Sequence, residues 1–153
     1  MNIKSVLFGS ANMSQAGDIG MLLARLGFGL YMSLGHGLGK MPPSEQLVGG
    51  LEKMGLPMPG VMAWCAALSE CVAAMLVALG IMTRPAALAV AFTMGVAAFS
   101  AHGSDPWVSQ GGASKEMAML YLLAFASIAC VGAGKFSLDS FLNRNRAEMA
   151  VTN

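Results

Sequence analysis

The stretch Ala63–Ala74, AWCAALSECVAA, sets one carboxylate, Glu70, inside an apolar run that extends from Gly60 to Met82. A helix needs about 20 apolar residues to cross the hydrocarbon core of a bilayer, and this run supplies them. A charged side chain at that depth costs about 2.5–3.5 kcal/mol on insertion scales. It is retained where it faces a partner or a cavity inside the protein. Ala63, Ala67 and Ala74 share the helical face of Glu70. The carboxylate therefore sits on an alanine strip that a second helix can approach closely.

Outward from this run the same pattern recurs. Ile19–Leu38 is a second apolar run, in which Arg25, Gly29, Ser33 and Gly37 repeat every four residues. His36, eleven positions after Arg25, is expected on the Arg25 face, because that spacing is almost three helical turns. Pro85–Ala101 carries Ala91, Gly95 and Ala98 and is followed by His102. A fourth run starts at Lys115-Glu116 and continues to about Ala133, where Gly132 and Gly134 stop it. Thr83-Arg84-Pro85 forms a tight turn between two runs, and Trp64 marks a membrane interface.

The connection from Met41 to Pro59 is punctuated by Pro42-Pro43, Gly49-Gly50 and Pro57. Within it, Ser44–Gly55 places Leu47, Leu51 and Met54 at helical spacing, which predicts a short helix lying on the membrane surface.

Composition agrees. Of 153 residues 56% are apolar and 11% charged, against about 25% charged in a soluble domain. No basic tract is dense enough to neutralise a nucleic-acid backbone, so nucleic acid is not an expected partner. Cys65, Cys71 and Cys130 lie within apolar runs without zinc or CxxC spacing, and are expected to be small buried side chains. The N-terminal stretch lacks the apolar core of a signal peptide and is expected to stay on the mature protein.

The expected architecture is all-α: an integral membrane four-helix bundle with a short interfacial helix in the first outer loop. Residues 1–18 form an N-terminal surface segment, 19–134 the bundle, and 135–153 a polar C-terminal extension. Lys4, Arg84, Lys135, Arg144 and Arg146 collect on the side of the termini, which the positive-inside rule makes cytoplasmic in a multi-pass inner-membrane protein.

At 1.5 Å per residue, Glu70 lies roughly 15 Å and Arg25 roughly 20 Å from the outer end of their helices. An Arg25–Glu70 ion pair near the midplane is therefore expected, working as a proton and charge pair. His36, His102 and Glu116, all at the outer boundary, would line a ligand-binding mouth above it. Such a pair is also readable as architecture, since desolvation offsets its Coulomb gain. As a pocket, it suits a quinone or quinol, whose ring oxygens His and Glu can hydrogen-bond and exchange protons with. A metal held by the two histidines and two carboxylates, and a haem between His36 and His102, are weaker readings. The spacing offers no Glu-x-x-His pair, and no metal ligand set is assigned.

Several short pieces, in order, carry a family likeness: Leu23-Ala24-Arg25-Leu26, Gly35-His36-Gly37 with Lys40, Gly55-Leu56-Pro57, and Ser69-Glu70. Leu79-Gly80, Thr83-Arg84, His102, Tyr121-Leu122-Leu123 and Gly134-Lys135-Phe136-Ser137-Leu138-Asp139 follow. From about Ile19 to Leu142 the chain resembles the DoxX family of small bacterial and archaeal membrane proteins. The resemblance implies a four-helix membrane subunit associated with respiratory or sulfur redox chemistry. One branch, DoxD, forms part of thiosulfate:quinone oxidoreductase with a small partner subunit, and other members are linked to oxidative-stress complexes.

Two functions stand at this point. One is a membrane subunit of a quinone-linked oxidoreductase or other redox complex, binding quinone or quinol near Arg25, His36, Glu70, His102 and Glu116. The other is a non-catalytic scaffold or assembly subunit, associating with other membrane subunits or with itself in the lipid bilayer. A small-molecule transporter is a weaker third reading, because four helices without an inverted repeat are few for alternating access.

Overall fold

Small residues line much of the inside of this protein, with Met32, Phe125 and Ile128 among the larger buried side chains, and large apolar residues cover its outside. Ala63, Ala67, Ala74, Ala87, Val90 and Ala98 are fully buried, while Leu23, Leu88, Phe92, Phe99 and Leu123 are each more than half exposed. Lipid tails solvate large apolar side chains as well as a protein core does. Helices in lipid associate through the close approach that alanine and glycine permit.

The computed structural model describes residue 11 and residues 13–142. Most of the expected N-terminal segment and the far part of the C-terminal extension, with Lys4, Arg144 and Arg146, lie outside the described residues. Among the described residues all regular structure is helical. Helix α1, Gln15–Leu30, runs on as a π-helical segment, Tyr31–Gly37, and a 3-10 turn, Leu38–Lys40. Helix α2 is Glu45–Lys53. Helix α3, Pro59–Leu79, is π-helical over Ser69–Ala73. Helix α4, Thr83–Ala101, is π-helical in its last turn, Ala97–Ala101. Helix α5 is Glu116–Val131.

Helices α3 and α4 are each long and apolar enough to cross a membrane, and α5 is apolar but shorter. Helix α1 packs on α3, α3 on α4, α4 on α5, and α5 returns to α1, while α2 lies on the first half of α3. The Arg25-Gly29-Ser33-Gly37 strip is buried. A Cβ on Gly29 would come within 2.8 Å of the Ala74 carbonyl, and one on Gly37 would overlap the Glu70–Cys71 backbone. Ser33 Oγ donates to the Cys71 carbonyl at 2.7 Å across the same seam.

Helix ends follow local chemistry. Ser14 caps α1 and Ser44 caps α2, each through its hydroxyl oxygen. Gly80, at φ +73°, ends α3. Asp139 caps α4 from far along the chain, its carboxylate accepting from Met82 N at 3.0 Å and Thr83 N at 3.1 Å. The start of the expected polar extension is thus fastened to the helix ends. Lys135 N donates to the buried Asp18 carboxylate at 3.0 Å, and Ser137 is buried.

The cysteines correct their expectation. Cys65 and Cys130 are exposed and Cys71 is partly buried. A thiol on an outward face is as much at home against lipid as in a core, so burial in apolar sequence does not imply burial in protein.

Candidate functional site

The expected Arg25–Glu70 pair does not form. Arg25 is fully buried, and its guanidinium donates to the carbonyls of Phe136 at 2.6 Å, Val77 at 3.3 Å and Ala78 at 3.5 Å. Val77, whose carbonyl also accepts from Gly80 N, and Ala78 belong to the last turn of α3, where the negative end of the helix dipole attracts a cation. Glu70, 3% exposed, instead meets Lys40, whose Nζ lies 2.6 Å and 2.7 Å from its two oxygens.

The cause is register together with side-chain direction: the α1–α3 seam sets Gly37 against the Glu70–Cys71 backbone, roughly three helical turns from Arg25, which lies level with Val77 and Ala78. Residues on a helix lean toward its N-terminus. Helices α1 and α3 run antiparallel, so Arg25 leans toward the termini and Glu70 leans the other way. The two side chains diverge, and each finds a partner in its own direction. Lys40, at the end of the 3-10 turn beyond the first apolar run, is the cation that Glu70 points toward.

Glu70 and Lys40 form part of the wall of a cleft of about 480 Å³. Its other walls are Ala66 of α3, with Thr93, Val96, Ala97 and Ala101 of α4. The apolar face of α2, Leu47, Leu51 and Met54, forms a roof, and His102 stands at the rim. The volume falls within the roughly 300–1,000 Å³ range of small-molecule sites, and a few polar groups on mostly apolar walls are their usual lining. Thr93 donates to Ser69 Oγ at 2.9 Å beside Glu70, joining α4 to the π-helical part of α3. His102 Nδ1 lies 2.8 Å from Asp105, which fixes the ring and leaves Nε2 outside that contact.

Of the three π-helical segments among the described residues, Ser69–Ala73 and Ala97–Ala101 contribute to the cleft wall, and Tyr31–Gly37 precedes the turn that carries Lys40. One leads into Lys40, one contains Glu70, and one ends at His102. Such widened turns are rare within α-helices and cluster at functional sites.

His36 and Glu116 do not reach the cleft. The ring of His36 lies between Tyr31, at 5.9 Å, and Tyr121, at 5.5 Å, on the α1–α5 side. In an unbroken α-helix His36 would stand about 20° from the Arg25 direction. The π-helical winding of Tyr31–Gly37 turns less per residue, brings Gly37 onto that face and rotates His36 away. Glu116 accepts from Ser109 N at 2.9 Å and fastens the loop between α4 and α5, where Lys115 lies 5.0 Å from the Trp107 ring centre. The mouth expected from His36, His102 and Glu116 is therefore reduced to His102, and Lys40, absent from that expectation, completes it. Among the described residues no group of three or more His, Cys, Asp or Glu side chains is gathered to hold a metal.

In comparisons with known proteins, residues 20–103 match the family model described as DoxX, a span that runs from Gly20 within α1 to just past the end of α4 and includes every residue of the cleft. No curated protein and no solved structure matches the chain.

Proposed function

The chain belongs to the DoxX family, a family of membrane proteins, and from that premise we propose that it binds a quinone or quinol in the cleft beneath α2. In this reading it is a small subunit of a respiratory or redox-linked membrane complex. The observation that carries the proposal is the buried Glu70 carboxylate, neutralised by Lys40, in the wall of an otherwise apolar cleft. The apolar walls take the ring and its tail, Lys40 and Glu70 meet one ring oxygen, and His102 meets polar atoms at the rim. Glu70 and His102 are the groups that exchange protons with the ligand, and Arg25 holds the helix ends rather than the ligand.

The proposal includes a four-helix membrane bundle of α1, α3, α4 and α5, with α2 at the interface. Arg84 and Lys135 near the helix ends on the side of the termini support a cytoplasmic placement of that side, and hence a cleft facing outward across the inner membrane. Trp64 and Trp107, both exposed, are suited to the opposite interface.

One observation favours the second reading, a scaffold or assembly subunit. Lys40 closes on both oxygens of Glu70, so the pair can fix the register of α1 on α3 without any ligand. Native mass spectrometry of the protein gently extracted from its own membrane separates the two. A quinone or quinol retained on the wild type, with quinol lost or replaced by quinone in Glu70→Gln, supports the cleft. A partner complex that carries no small ligand on this chain supports the scaffold.

A further inference from the structure

Lys40 Nζ carries three N–H donors, and two of them are taken by the oxygens of Glu70. The third has no protein acceptor among the described residues, and Lys40 is 38% exposed in the mouth of the cleft. The carboxylate has room for about four hydrogen bonds, and Lys40 supplies two. No other donor reaches it among the described residues, although it is 3% exposed. The wall of the cleft therefore presents a spare donor beside a buried carboxylate whose oxygens each hold one bond and keep lone pairs to spare. Spare acceptor capacity on a buried charge favours a ligand that supplies a hydrogen over one that presents only lone pairs.

We propose that the cleft binds a hydroquinone in preference to the corresponding quinone. This rests on the reading of the cleft as a quinone or quinol site, and adds to it the redox state that is held. A single hydroquinone hydroxyl satisfies both halves of the pair. Its oxygen accepts from the free N–H of Lys40 while its hydrogen is donated to Glu70. A quinone carbonyl has lone pairs only. It can accept from Lys40, but its oxygen then faces the carboxylate with no hydrogen between them. At the rim, Asp105 takes Nδ1 of His102, which leaves Nε2 to meet a hydroxyl, a group that can both donate and accept. The loss of one hydrogen bond to a buried charged group corresponds to a preference of about tenfold or more.

The test uses the full chain in lipid nanodiscs, titrated anaerobically with a decyl-tailed benzoquinone and separately with its two-electron-reduced form. The wild type is expected to bind the reduced form about tenfold more tightly, which corresponds to a rise of about 30 mV in the midpoint potential of the bound two-electron couple. In Glu70→Gln the side-chain amide can donate to a carbonyl, so the preference is expected to vanish or reverse. In Lys40→Arg, which keeps a cation with spare donors, it is expected to persist. Equal affinity for the two forms in the wild type, or tighter binding of the quinone, overturns the preference and leaves the cleft reading standing. Absence of saturable binding by either form overturns both. A preference unchanged in folded Glu70→Gln overturns its assignment to Glu70. The potential of the bound wild-type couple decides the matter should the variant fail to fold.

Discussion

Gly37 is where the helix carrying Lys40 touches the helix carrying Glu70, and Gly37→Ala is the sharpest test of that contact. An added Cβ would run into the amide nitrogen and Cα of Cys71 and the carbonyl carbon of Glu70. These are backbone atoms and cannot rotate aside, so α1 and α3 must separate. Overpacking of this kind costs typically about 1–3 kcal/mol. Separation also stretches the 2.7 Å bond from Ser33 to Cys71, worth about 1 kcal/mol net. Alanine restores up to about 1 kcal/mol of helix propensity. The expected net loss is roughly 1–3 kcal/mol on these terms. Gly27 is the control, because a Cβ there meets nothing within 4 Å. Gly27→Ala is expected to be neutral or stabilising by up to about 1 kcal/mol. Equilibrium unfolding of both variants in mixed micelles measures the difference. If Gly37→Ala matches Gly27→Ala within about 0.5 kcal/mol, below the expected overpacking cost, the close α1–α3 contact is refuted.

Three further outcomes follow from the same geometry. Arg25→Leu strands the carbonyls of Ala78 and Phe136 and leaves Val77 with Gly80 N alone, and is expected to destabilise by about 3 kcal/mol or more in the same unfolding assay. Arg25→Lys is expected to recover only part of that, since an ammonium lacks the fork that reaches both α3 and Phe136. Lys40→Met leaves a buried carboxylate without its cation, whereas Glu70→Gln leaves a lysine that can turn to solvent. Lys40→Met is therefore expected to be the more destabilising of the two, by up to about 3 kcal/mol, and equal midpoints would contradict the pairing. Asp139→Ala removes the cap of α4 and is expected to cost about 0.5–2 kcal/mol, visible as earlier amide exchange at Met82 and Thr83.

Much of the fold is written in hydropathy. The apolar runs at Ile19–Leu38, Gly60–Met82, Pro85–Ala101 and from Glu116 onward lie on helices whose ends fall a few residues away. The amphipathic spacing of Leu47, Leu51 and Met54 gives α2. Helix α1 starts earlier, at Gln15, because Ser14 caps it and Lys135 N, over a hundred residues later, satisfies Asp18. No local pattern contains that second condition.

The site was less legible, for two physical reasons. Depth along a helix axis locates a Cα, but a long side chain adds several ångströms in a direction set by the helix sense. Register matters as much: Gly37 lies against Glu70 while Arg25 lies level with Val77 and Ala78, so the two charged residues start roughly three turns apart and their opposed directions part them further. Lys40 looks like a loop cation just past an apolar run, and only its reach back to Glu70 makes it part of the site. Rotational position also fails where the winding changes. The π-helical segment Tyr31–Gly37 moves His36 off the face that an α-helical count assigns, and leaves it against Tyr31 and Tyr121. The signal that was available is the crowding of Gly35, Gly37 and Gly39 around the histidine. Glycine at such density weakens regular α-helix and permits close backbone contact.

The central claim is that a lipid-soluble ring occupies the cleft beneath α2. A photoreactive, isoprenoid-tailed quinone, applied to membranes containing the wild-type chain and mapped by peptide mass spectrometry, tests it most directly. The account predicts labels on Leu47, Leu51 or Met54 of α2 and on Ala66 or the Thr93–His102 part of α4, displaced by an excess of unlabelled quinol. Labels spread over the outer faces around Phe92 and Leu123, undiminished by competitor, would contradict it.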